Sequence, residues 1–104
     1  MTKSKFFREM QKRSHEVMPS GAKVVLFGSQ ARGDAQDESD WDVLILLDKE
    51  KITPSDFDNY AYPLVEFGWK SNEMISPLLY TFSDWHRRRN TSLYHNIVTE
   101  GVEL

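Results

Sequence analysis

The chain has 104 residues, 39% hydrophobic and 28% charged, with 13 basic and 16 acidic side chains giving a net charge of −3. This length points to one domain with one core, too apolar for a disordered chain and too acidic to coat nucleic acid. The absence of cysteine excludes a disulfide framework, a thiolate metal site and a cysteine nucleophile.

Met1 to Phe7 holds no extended apolar stretch, so no secretory signal is expected. The longest apolar run, Val43 to Leu47, is too short to span a membrane. The default expectation is a single domain over residues 1–104, acting in the cytoplasm. Residues 4–18 carry Phe6, Phe7, Met10, Val17 and Met18 at helical spacing, with Glu9 and Arg13 as an i,i+4 pair. Pro19-Ser20-Gly21 ends that helix. Lys23 to Phe27 is short, apolar and partly β-branched, and reads as a buried strand. Gly28-Ser29 closes it. Residues 30–39 are small, polar and acidic, a turn with room for one helical turn. Trp41 to Leu47 is a second strand, and its continuous apolar character suggests a central position.

Thr53-Pro54-Ser55-Asp56 is a helix start: Thr53 caps, Pro54 suits the first helical position and Asp56 suits the positive end. Phe57, Tyr60, Ala61, Leu64 and Phe67 then recur at helical spacing. Pro63 conflicts with one straight helix, because it lacks an N–H and its ring crowds the Asn59 carbonyl, so a kink or two shorter helices are expected. Gly68 is expected to end the segment. Met74 to Phe82 reads as a third strand, with Pro77 indicating an edge or a bulge. Ser83-Asp84-Trp85 opens a short helix. Thr91 or Ser92 caps a last one ending near Gly101. The order α-β-β-α-β-α-α predicts an α+β domain with a small mixed β-sheet flanked by helices.

The chemistry concentrates between Gly28 and Asp42. Asp40 and Asp42 stand at i and i+2 where an apolar strand begins. On a strand both point to one face, ~6.6 Å apart along the chain, within reach of one Mg²⁺. Magnesium takes one or two carboxylates and fills its octahedral shell with water and substrate phosphates. Upstream, Gly28 lets backbone approach a phosphate closely, and successive N–H groups with the Ser29 hydroxyl can hold its oxygens. Together the halves read as a nucleoside triphosphate site.

Gly28-Ser29, ten residues, then Asp40-Trp41-Asp42 resembles the signature of the DNA polymerase β-like nucleotidyltransferase superfamily. Gly28, Ser29, Ala31, Arg32, Gly33, Ser39, Asp40 and Asp42 fit the version found in minimal nucleotidyltransferases, from Gly-Ser-x-Ala-Arg-Gly to Ser-Asp-x-Asp. Tyr94-His95-Asn96-Ile97 through Glu100-Gly101-Val102 also resembles the end of those short proteins, so the likeness runs from about residue 20 onward. It implies a polymerase β-like fold, catalytic Asp40 and Asp42 as Mg²⁺ ligands, and Gly28 and Ser29 as contacts to ATP or another nucleoside triphosphate. Arg32 either adds a phosphate contact or is a surface arginine. The resemblance implies transfer of a nucleoside monophosphate to a hydroxyl acceptor, such as one on a HEPN-domain partner in a toxin–antitoxin pair.

One position departs from the pattern. Active members of the superfamily carry a third carboxylate on a later strand, and Ser76 stands there. Glu73, three residues away, would face the other side of a regular strand. The alternative is therefore a weakly active or inactive nucleotide-binding antitoxin module. His86-Arg87-Arg88-Arg89 offers a weaker RNA-binding reading against a solvated helix face. His15 and His95 are isolated and read as structural.

Overall fold

The computed structural model describes residues 1–104. Helix α1 spans Lys3–Val17 and is followed by strand β1, Lys23–Phe27. A single turn, α2, covers Ser29–Arg32 and leads by a loop into β2, Trp41–Leu47. Helix α3, Pro54–Asp56, runs through a π-helical turn, Phe57–Ala61, into α4, Tyr62–Lys70. Then come β3, Ile75–Thr81, α5, Phe82–Arg87, α6, Ser92–Glu100, and a two-residue β4, Val102–Glu103. No helix is long and apolar enough to cross a membrane.

The four strands lie in the order β3-β2-β1-β4. β1 pairs antiparallel with β2 and with β4, whereas β2 and β3 run parallel. The expected mixed sheet is present, with β2 inside it and the proline-bearing β3 at an edge. Pro77 has no amide hydrogen to give a second neighbour, so the edge suits it.

Alternation along the strands divides the core in two. Val24, Leu26, Val43, Ile45 and Leu47 join Phe6, Met10, Ala61 and Leu64 beneath α1 and α4. Val25, Leu44 and Leu46 turn the other way, against Trp85 of α5 and Ile97 of α6. Burial on both faces explains the unbroken apolar run of β2. Phe6 packs its ring 4.9 Å from that of Trp41 and 5.3 Å from that of Phe67, fastening the first helix over the entry to β2. Asp42 precedes Leu44 by two residues and so shares the α5/α6 face.

Pro63 is accommodated by the π-helical turn. The Tyr62 N–H bonds back five residues to the Phe57 carbonyl, and α4 starts afresh with Pro63 in its first turn, where no donor is needed. Thr53 starts α3 as expected, and the Asp56 carboxylate also reaches back to accept the Thr53 amide at 2.8 Å, completing a capping box.

Four expectations are corrected. Arg13 lies 3.9 Å from Glu16 instead of pairing with Glu9. Gly68 does not end the helix, which continues to Lys70 and turns at Asn72 with φ 58°. A Cβ at Gly68 would stand 3.0 Å from the Glu73 carbonyl and 3.1 Å from Ile75, so this glycine serves close packing of α4 on β3. Thr81, ahead of Ser83, caps α5 by accepting the Asp84 N–H. The short β4 has no counterpart in the predicted order; two residues are too few to show alternation.

Candidate active site at the start of strand β2

The antiparallel register sets Phe27 opposite Asp42, which brings the residue after β1 beside the first turn of β2. That residue is Gly28, at φ 78° and ψ −160°, a region essentially restricted to glycine. A Cβ there would lie 2.5 Å from Asp42 Oδ2. Glycine is thus required by its backbone angles, and any side chain here would push the Asp42 carboxylate out of its place.

The Gly28 carbonyl accepts the Ala31 and Arg32 amides at 3.1 and 3.0 Å, and the Ser29 carbonyl accepts those of Gly33 and Asp34. Gly33, at φ 86°, reverses the chain. Gln30 Nε2 then donates to the Ser39 carbonyl at 3.2 Å, and the Ser39 hydroxyl accepts the Gln36 amide at 2.9 Å. These bonds tie the acidic loop back on α2 and deliver Asp40 to the mouth of β2. The Trp41 amide bonds to the Met74 carbonyl at 2.8 Å, and its indole N–H donates to Glu73 Oε2 at 3.1 Å, fastening the start of β2 to the approach of β3.

In the parallel register Ser76 stands beside Asp42. Its hydroxyl donates to Asp40 Oδ2 at 2.7 Å. The position where a third carboxylate was expected therefore faces the same place as the pair, and holds a neutral donor. Glu73 is turned to Trp41, in line with its expected exclusion.

Burial raises the pKa of Asp42, and the nearby charge of Asp40 raises it further, with Arg32 only partly opposing. Two carboxylates thus share a face without a full counter-charge. No group of three or more metal-ligating side chains occurs anywhere in the chain. Two carboxylates with open space beside them nonetheless suit a hard divalent cation that completes its shell with water and phosphate oxygens. Neither aspartate lines a cavity. The largest cavity, about 340 Å³, is bounded by Phe7, Leu26, Gln30 and Trp41 on the α1 side and carries no carboxylate. The site is an open ledge on the sheet.

Arg32 is engaged rather than free. It donates through Nε to Asp34 Oδ2 at 3.2 Å and through Nη1 to Glu100 Oε1 at 3.1 Å, and these partners raise its pKa, the Asp34 hydrogen bond most strongly. Glu100 Oε1 also accepts the Gly28 amide at 3.3 Å. Glu100 lies in the tail segment that resembles the family but was assigned no role in the site. It arrives from 72 residues away because β4 folds the end of α6 back onto β1.

The basic run after β3 lies on the surface. Arg87 pairs with Asp84, the Arg88 guanidinium sits 4.8 Å over the Tyr80 ring, and Arg89 donates to the His86 carbonyl. His15 meets the Leu104 carbonyl at 2.9 Å, a terminal tether.

Comparison with known proteins agrees with the fold. The family described as "Nucleotidyltransferase domain" matches residues 3–100, so the likeness includes the first helix as well as the segment from residue 20 onward. Two proteins of Methanocaldococcus jannaschii are similar in sequence. "Putative protein adenylyltransferase MJ0141" is 37% identical over 82 residues, covering 79% of this chain and 77% of that protein. "Putative protein adenylyltransferase MJ0604" is 33% identical over 82 residues, covering 79% and 76%. A chain in the crystal structure of a toxin-antitoxin with AMP-PNP shares the fold at a TM-score of 0.60 and 18% identity, over 99% of this chain and 72% of that one. The chain belongs to the nucleotidyltransferase domain family, as one of its minimal members.

Proposed function

We propose that the protein is a Mg²⁺-dependent adenylyltransferase that transfers AMP from ATP to a hydroxyl of an acceptor protein and releases pyrophosphate. The observation that carries this reading is the placement of Asp40 and Asp42 on one sheet face against Gly28, whose backbone admits no side chain. Asp40 and Asp42 are the metal ligands. Mg²⁺, when bound, offsets charge on the attacking and leaving oxygens. Gly28 and Ser29 hold the triphosphate, and Arg32 adds a contact through the group it now gives to Glu100. The acceptor oxygen bonds to the α-phosphorus, the bond to the β-phosphate oxygen breaks, and the hydroxyl proton leaves to solvent. The open ledge suits an acceptor as large as a protein. The names of the two archaeal relatives support AMP and a protein acceptor. A toxin of the HEPN type is the partner that the sequence resemblance implies, and we place the pair in the cytoplasm.

Ser76 favours a second reading, a nucleotide-binding antitoxin that masks its partner without modifying it, because a hydroxyl is a poorer ligand and a far poorer base than a carboxylate. ATP labelled at the α-phosphate, Mg²⁺ and a HEPN-type candidate partner separate the two. Transferase activity puts the label and the mass of one or more AMP groups on the partner, and Asp40→Asn removes both. A stable complex with unmodified partner, undiminished by Asp40→Asn, would contradict the enzymatic reading.

A further inference from the structure

We propose that Glu100 is a built-in competitor of the triphosphate, a carboxylate that occupies the phosphate donors and sets how tightly the nucleotide binds. The proposal rests on the assignment of the triphosphate to Gly28, Ser29 and Arg32. Glu100 Oε1 receives two hydrogen bonds, from the Gly28 amide at 3.3 Å and from Arg32 Nη1 at 3.1 Å. A carboxylate oxygen and a phosphate oxygen ask the same of such donors: a negative charge and lone pairs in a charge-assisted bond. The pair cannot serve both at once.

The fold holds the competitor in place. Glu100 ends α6, whose start is capped by Thr91 accepting the Tyr94 amide. The Gly101 amide closes the helix on the Ile97 carbonyl at 2.8 Å. A Cβ on Gly101 would stand 2.6 Å from Val25 and 2.5 Å from the Ile97 carbonyl, so only glycine lets the helix end lie this close to β1. Val102 then pairs with Leu26, and the Leu104 amide bonds to the Val24 carbonyl at 2.9 Å. The backbone of residue 100 is thus anchored beside the strand that ends at Gly28. Its side chain is 21% exposed and can swing to solvent by a rotamer change. Arg32 keeps Asp34 as a partner when Glu100 departs.

Apparent affinity falls in proportion to the fraction of molecules whose site is open. A carboxylate docked about nine-tenths of the time weakens triphosphate binding roughly tenfold. Glu100→Ala removes the competitor, and Glu100→Gln keeps its shape and an acceptor oxygen but not its charge.

Calorimetry of the full chain with Mg²⁺ and a non-hydrolysable ATP analogue, and separately with Mg²⁺ and inorganic tripolyphosphate, tests the proposal. Glu100→Ala is expected to bind both probes roughly tenfold more tightly than wild type, with a smaller gain for Glu100→Gln. The gain for tripolyphosphate locates the competition at the phosphates rather than the base. Equal or weaker binding by both variants, with wild type binding normally, would overturn the competitor while leaving the nucleotide site intact. Failure of wild type and variants alike to bind either probe would overturn both assignments. Should Glu100→Ala not fold, Glu100→Gln decides alone.

Discussion

Replacing Gly28 by alanine separates the cost of a strained backbone from the cost of a displaced carboxylate. At φ 78° and ψ −160° a non-glycine residue costs about 1–3 kcal/mol. The new Cβ would also stand 2.5 Å from Asp42 Oδ2. That atom is the free end of a short side chain, so the conflict is relieved by turning the carboxylate away and adds little to the stability loss. At roughly 4–8 °C per kcal/mol for a domain of this size, Gly28→Ala should lower the melting temperature by about 5–20 °C. Below the new midpoint it should still fail to bind Mg-ATP, because Asp42 no longer faces Asp40. Gly33→Ala is the control. Its φ of 86° also disfavours a side chain, at about 1–2 kcal/mol, but no atom lies within 4 Å of the added Cβ. It should melt earlier than wild type yet bind nucleotide normally. Thermal melts with calorimetry on both variants make the comparison. Normal Mg-ATP binding by folded Gly28→Ala would refute the argument that this glycine keeps Asp42 in position.

Asp42 is held protonated to higher pH in the fold than in the unfolded chain, by burial first and Asp40 second. Its ionised form therefore costs stability at neutral pH, and the cost fades as pH falls through the folded pKa. In EDTA, Asp42→Asn should melt above wild type at neutral pH, with the gap closing toward about pH 4; a gap that widens in acid would reverse the sign. Asp56 behaves oppositely: the Lys49 ammonium first, with the Thr53 amide and hydroxyl, lowers its pKa against the effect of burial. Its stabilisation is present above the unfolded pKa and lost as pH falls through the folded one. Asp56→Ala should cost about 1–2 kcal/mol through the lost cap at neutral pH and progressively less in acid, measured by urea melts across that range. Ser76→Asp places a third carboxylate against Asp40, so it should melt below wild type in EDTA and gain more from added Mg²⁺. If it gains no more than wild type does, position 76 does not face the cation.

The architecture was legible because β1 and β2 carry continuous apolar runs and the helix starts carry oxygen-bearing caps. Pro77 marked an edge and Pro63 a break, since each removes a donor from the backbone. Gly68 misled because a glycine near a helix end resembles a stop, whereas here it makes room for Ile75 and the Glu73 carbonyl. The aspartate pair was legible from local spacing, and Ser76 stood out only because the family resemblance expects a carboxylate there; the parallel register that sets it beside Asp42 leaves no mark in the local pattern. Glu100 was not legible as a site residue. Its contacts with Gly28 and Arg32 depend on how β4 returns to β1, and a two-residue strand leaves no periodic trace.

The central claim is that Asp40 and Asp42 gather a divalent cation and the triphosphate beside Gly28. Manganese is a suitable reporter, since it takes oxygen ligands as magnesium does and scatters anomalously. Crystals grown with Mn²⁺ and a non-hydrolysable ATP analogue should show an anomalous peak within about 2.5 Å of oxygens from both aspartates, with phosphate density against the Gly28 and Ser29 amides and Glu100 turned away. A triphosphate bound elsewhere, or a peak that touches neither carboxylate, would contradict it.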